Sequence, residues 1–143
     1  MEKKEYLGQM LGLTVKALSR KSTSRVKEFD LTIQQFGVLN VLYNKNRLTS
    51  HQLVKRLKSD SSSIMSLVDQ LEKKGFITRE PGLRDRRIKH LALTDKALSI
   101  KEALVKRVDD FDRELTAQIS VAEKEQLIKV LQKFREFALE LDS

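Results

Sequence analysis

The chain has 143 residues, with 28 Lys and Arg against 20 Asp and Glu, a formal net charge of +8 and no cysteine. That length suits one domain with a modest core, and the lack of cysteine excludes disulfides, thiolate metal sites and thiol-based peroxide sensing. No run approaches the roughly 18 apolar residues of a membrane span, and the opening MEKKEYLGQM has no signal-peptide apolar region, so a cytoplasmic protein is expected.

The excess charge is localised. Twelve of the Lys and Arg, but five of the Asp and Glu, fall between residues 45 and 90. A generically basic protein would spread them, and such concentration favours a nucleic-acid partner. A membrane surface would instead call for one long basic amphipathic helix with bulky apolar anchors, which the pattern lacks.

Residues 5–28 read as a helix, with Tyr6, Met10, Leu11, Thr14, Leu18 and Val26 near helical spacing. Ser22, Thr23 and Ser24 weaken its middle. Asp30-Leu31-Thr32 is a turn and cap, and Gln35 completes a Thr-x-x-Gln capping box from Thr32. A second helix, about 33–44, carries Phe36, Val38, Leu39, Val41, Leu42 and Tyr43 on more than one side, the pattern of a centrally buried helix.

After the polar connection Asn44 to Arg47, Thr49 and Gln52 form another capping box. Leu53, Val54 and Leu57 give the short helix that follows one apolar face. Lys58-Ser59-Asp60 breaks the pattern, and Ser59 or Asp60 can cap the next helix. There Ile64, Leu67, Val68 and Leu71 make one stripe, and Gly75 beyond Lys73 and Lys74 is a C-cap signal beside cations that suit the helix dipole. Two helices joined this tightly match a helix-turn-helix. The second presents Ser61, Ser62, Ser63, Met65, Ser66, Asp69 and Gln70 on its outer face. A small, hydroxyl-rich turn of this kind can approach phosphates and base edges. Met65 is either a packing residue at the edge of the stripe or an apolar contact to a thymine methyl.

Phe76 to Glu80 and Ile88 to Leu93 alternate with period two, joined by Pro81-Gly82-Leu83-Arg84-Asp85-Arg86-Arg87. That is a hairpin with a long loop. Three arginines on a protruding loop repel one another and suit a polyanion. Thr94 then caps a long helix whose Ala97, Leu98, Leu104, Val105, Val108, Phe111, Leu115 and Ile119 stay near one stripe. Ser120 and Glu123 box the start of a last helix, where Leu127, Leu131, Phe134, Ala138 and Leu141 step as a short heptad seam. Two striped terminal helices outside the compact unit are most simply covered by a second copy of the chain.

The run Asp85-Arg86-Arg87-Ile88-Lys89-His90-Leu91-Ala92-Leu93-Thr94 fits the D-x-R-x-x-x-x-x-L-T signature of the MarR family of winged helix-turn-helix regulators. Leu71-Glu72-Lys73-Lys74-Gly75-Phe76-Ile77-Thr78-Arg79 resembles that family's exit from the recognition helix. Both motifs in order, at this spacing, make a strong resemblance that covers nearly the whole chain. It implies a mainly α fold with a small β-hairpin wing, a single domain over 1–143, a winged region over 30–94, and dimerisation helices over 1–29 and 95–143.

The resemblance also implies a homodimeric, sequence-specific regulator of double-stranded DNA, a repressor on a near-palindromic operator with half-sites roughly 34 Å apart. The recognition helix contributes Ser61, Ser62, Ser63, Met65, Ser66 and Gln70. Family members often carry arginine where Ser66 stands, and its absence removes the commonest guanine reader. At the wing, Arg87 enters the minor groove held by Asp85, while Arg84 and Arg86 meet phosphate or groove edges. Thr49, Lys55, Arg56 and Lys58 suit phosphate contacts. A small aromatic or lipophilic effector would sit where the dimer helices meet the winged region, with Tyr6, Met10, Phe29, Tyr43 and Phe111 as candidate lining. The rival reading is a winged-helix module binding an acidic protein. No catalytic set is present. His51 and His90 lack partners at ligand spacing, so no metal and no cofactor are expected, and Asp109, Asp110 and Asp112 read as a solvated helix face.

Overall fold

The computed structural model describes residues 4–141, without the side chain of Leu141, which places that one seam position outside the described residues. In chain order the elements are α1 (Leu7–Val26), a single 3-10 turn (Lys27–Phe29), α2 (Ile33–Asn44), α3 (Ser50–Leu57), α4 (Ser61–Lys73), β1 (Ile77–Pro81), β2 (Lys89–Leu93), α5 (Asp95–Thr116) and α6 (Val121–Leu141). The chain divides into two compact units, Met1–Val108 and Asp109–Ser143.

The core of the first unit forms around α2, which packs against α1, α3, α4 and β2. Phe36, Val38, Leu39 and Leu42 are buried on successive sides of it, which explains why α2 has no polar face. Leu53 from α3, Ile64, Val68 and Leu71 from α4, Phe76 and Ile77 from the wing, and Ala97 and Leu104 from α5 complete the cluster. Each fully buried leucine or phenylalanine contributes about 1.5–3 kcal/mol relative to exposure. Leu98, expected on the α5 stripe, is exposed instead; Ile100 takes its place against the core.

Local capping sets the helix starts. Thr32 and Thr49 each accept from the backbone N–H three residues on, and Gln35 and Gln52 return the bond. Thr94 accepts from Ala97 N at 3.3 Å, and Ser120 and Glu123 form a reciprocal pair at 3.1 and 3.0 Å. The serines inside α1 do not break it, because Ser22 and Ser24 donate back to the carbonyls of Leu18 and Lys21. Thr23 does more: its oxygen accepts from Ile33 N at 3.1 Å and anchors the start of α2. α1 ends earlier than expected, at Val26, and Asp30 closes the 3-10 turn in the left-handed region.

The wing is an antiparallel pair in which Ile77 faces Leu93, Arg79 faces Leu91 and Glu80 faces His90. Leu48 adds a one-residue third rung, its carbonyl accepting from Leu91 N at 2.7 Å. Of the stripe read from the sequence of this segment, Tyr6, Met10 and Thr14 are exposed, Leu11 and Leu18 are partly buried and Val26 is in the core, while Leu7, Leu13 and Val15 of α1 are exposed beside it. In the second unit, Leu127, Leu131 and Phe134 of α6 are likewise exposed.

Candidate nucleic-acid interface

The turn between α3 and α4 is built by Lys58 in the left-handed region and by Asp60, whose Oδ2 accepts from Ser63 N and Ser62 Oγ, both at 2.9 Å. The Ser63 backbone bond, aided by the two serine hydroxyls, holds the Asp60 carboxyl below its usual range. This cap fixes α4 so that Ser61, Ser62, Ser63 and Ser66 are exposed. Met65 is not: it is partly buried and packs against the core, because its position lies one residue past Ile64 on the edge of the buried stripe. Gln70 is exposed but engaged, accepting from Gln35 Nε2 at 2.7 Å and donating to Ser66 Oγ at 3.3 Å.

The C-terminal end of α4 is a Schellman closure. Phe76 N donates to Leu71 O at 2.9 Å, Gly75 N donates to Glu72 O at 3.0 Å, and Gly75 takes φ +81°, where a side chain would be strained. Lys74 does more than balance the helix dipole. It folds back, donating to Asp30 O at 2.6 Å and Gln35 Oε1 at 3.0 Å.

At the wing tip Gly82 N donates to Ile88 O at 2.7 Å. A Cβ on Gly82 would lie 2.5 Å from Asp85 O, so only glycine fits this turn. Asp85 grips Arg87 three ways: from the backbone N at 3.0 Å, from Nε at 3.1 Å and from Nη2 at 3.1 Å. The same Arg87 contacts hold the Asp85 carboxyl below its usual range. Arg87 nevertheless remains 91 % exposed, its fork oriented but uncovered. Arg84 and Arg86 are exposed, and among the described residues no carboxylate pairs with either. Leu83, 92 % exposed, stands beside them.

Three ion pairs brace the wing from below, through two arginines, Arg47 and Arg79, neither of which stands out as a site residue in the sequence. Arg47 pairs with Glu80 on β1, and Arg79 pairs with Asp69 and Glu72 on α4. The signal available for Arg79 is its place closing the recognition-helix exit motif. Lys55, Arg56 and Lys58 are exposed on and after α3. Thr49 is partly buried, occupied by its capping box, and lines a hollow of about 340 Å³ with Arg47, Arg84, Asp85 and His90.

Of the residues expected to line an effector crevice, Tyr6 and Met10 share an open groove along α1. Phe29 and Tyr43 pack on the core of the first unit, where Tyr43 Oη donates to Ala97 O at 2.6 Å. Phe111 belongs to the second unit. Among the described residues no cluster of three His, Cys, Asp or Glu gathers, and no helix is long and apolar enough to cross a membrane.

Comparison with known proteins agrees with this architecture. The family model described as MarR family matches residues 31–89. The chain is 38 % identical over 112 residues to the HTH-type transcriptional regulator SarZ of Staphylococcus saprophyticus subsp. saprophyticus, covering 76 % of this chain and 77 % of the relative. It superposes on a mutant of E. coli MarR complexed with operator DNA with TM-score 0.79 at 27 % identity, covering 90 % of this chain and 92 % of that one. Against the S. aureus MepR–DNA complex the TM-score is 0.81 at 26 % identity, with 92 % and 97 % covered. The braced wing, the capped helix-turn-helix and these similarities lead to one identification: the chain belongs to the MarR family of winged helix-turn-helix transcriptional regulators.

Proposed function

We propose that the protein acts as a homodimeric repressor that binds a near-palindromic operator, with α4 in the major groove and the wing tip on the flanking minor groove. The observation that carries this reading is the tip itself. Asp85 orients Arg87 through its backbone and guanidinium while leaving it uncovered, and Arg84 and Arg86 stand exposed beside it. An oriented, uncovered guanidinium suits a narrow groove of enhanced negative potential. The exposed serines of α4 supply small hydrogen-bonding groups that allow close approach to base edges and phosphates. Exposed apolar residues on α1 and α6 favour a second copy of the chain as cover, and a two-fold pairing would present two such units to one duplex.

The test is binding to duplexes selected from random sequence, titrated over salt. The expected result is a recovered site with two-fold symmetric half-sites one helical turn apart, and an affinity that falls linearly with salt on logarithmic axes, by about 0.9 per phosphate neutralised. An affinity indifferent to salt, or no enriched sequence, would overturn the reading. Retained duplex binding after removal of the tip arginines would favour an acidic protein as the partner of the wing.

A further inference from the structure

Gln35 is buried, 3 % exposed, yet its side chain reaches toward the outer face of α4. Its orientation is fixed from one end. The Thr32 backbone N–H and the Lys74 ammonium both donate to Gln35 Oε1, at 3.1 and 3.0 Å. Neither donor can accept a hydrogen bond, so the carbonyl of this amide must face them and Nε2 must face away. Nε2 donates to Gln70 Oε1 at 2.7 Å. That contact orients the second amide in turn, leaving Gln70 Nε2 to donate to Ser66 Oγ at 3.3 Å. One lone pair of the Ser66 hydroxyl is thereby occupied. Its hydrogen and its second lone pair face outward, since Ser66 is exposed and donates to no group among the described residues.

We infer that Ser66 donates to an acceptor on one base edge, and that buried Gln35, through Gln70, keeps the Ser66 hydrogen free to do so. The inference rests on the proposal that α4 lies in the major groove. There the acceptors are guanine O6 and N7, adenine N7 and thymine O4, and the donors are cytosine N4 and adenine N6. Ser66 is the specificity residue; Gln35 and Gln70 are positioning residues that need not touch DNA.

The decisive substitution is Gln35→Glu. It is isosteric, a glutamate serves equally in the Thr32 capping box, and its charge faces Lys74. Both carboxylate oxygens accept, so Gln70 must rotate its Nε2 toward position 35 and its Oε1 toward Ser66. The Ser66 hydrogen is then consumed by Gln70, and only lone pairs face outward.

Wild type, Gln35→Glu and Ser66→Ala are compared on duplexes carrying each of the four base pairs at every operator position, with thermal melts as the folding control. At one position per half-site, wild type should show a preference for guanine or thymine, which present acceptors alone, that is roughly fivefold stronger than in Gln35→Glu. Gln35→Glu should shift that preference toward cytosine or adenine at the same position alone, with the salt slope unchanged. Ser66→Ala should flatten it. Wild-type preferences retained by Gln35→Glu, or by Ser66→Ala should Gln35→Glu not fold, would overturn the relay while leaving DNA recognition intact. A preference altered evenly at all positions would reveal a merely structural role for Gln35 and also overturn it. Absence of any base preference in wild type would overturn both the relay and the placement of α4.

Discussion

Arg79 Nη2 on β1 lies 2.8 Å from Asp69 Oδ1 on α4, while Nη1 of the same guanidinium reaches Glu72 Oε1 at 2.5 Å. One planar fork thus ties the first wing strand to the recognition helix at two carboxylates one turn apart. Arg47 on the other side of β1 pairs with Glu80. The wing is a two-stranded element of marginal intrinsic stability, and these bridges, with the Leu48–Leu91 rung, set its angle to α4.

Arg79→Met should separate geometry from stability. Methionine keeps an apolar stem of similar length, and the ion pairs it abolishes are partly exposed, so urea denaturation should show a change within about 1 kcal/mol. Duplex affinity should fall roughly fivefold, because the wing is no longer preorganised. The salt slope should stay constant, since every phosphate-facing cation is kept. A stability decrease well above that range would place Arg79 in the fold rather than in the interface.

At the tip, charge and geometry predict opposite signs for Asp85→Ala. Removing a carboxylate raises the net positive charge, which by itself strengthens binding to a polyanion. It also releases Arg87 from its three hydrogen bonds. We expect weaker operator binding, as mobility shifts would read, with little change in binding to random duplex. Arg86→Ala combined with Arg87→Ala should weaken binding to both and lower the salt slope by about one for each phosphate no longer neutralised.

Tyr43 gives a pH signature. Burial pushes its phenol from 10.0 up to about 12, and its Oη–H donates to Ala97 O at 2.6 Å. A folded-state value above the unfolded one means the stabilising contribution is complete below pH 10. It is lost as pH rises from 10 to 12, where the unfolded chain ionises first. Urea melts from about pH 8 to about pH 11.5 should therefore show an alkaline decline that Tyr43→Phe reduces. At neutral pH the same substitution should cost about 1 kcal/mol.

The proposed dimer predicts a clean separation of assembly from folding. Leu127 and Phe134 of α6 are 47 % and 36 % exposed. Leu127→Glu with Phe134→Glu should give a monomer by sedimentation, with helical content largely kept. Operator affinity should fall steeply, since one half-site then binds alone. A variant that remained dimeric would move the interface away from α6.

What the sequence determines by itself is whatever acts over a few residues. The boxes at Thr32, Thr49 and Ser120, the Asp60 cap, the Gly75 closure and the Ile64–Val68–Leu71 stripe all depend on spacings of seven or fewer, so they are legible before any packing is known. The basic wing tip is legible for the same reason, and the expected Asp85–Arg87 pair is present. The tertiary structure decides the rest. Gln35 meets Gln70 across 35 residues, Lys74 meets Asp30 across 44, and Leu48 joins the wing as a single rung too short to show a period. It also packs Met65 partly against the core and leaves half of the stripe read for the first helix exposed. Periodicity states which residues can share a face. What that face meets is set by which distant element arrives there, and hence by the packing of the whole chain.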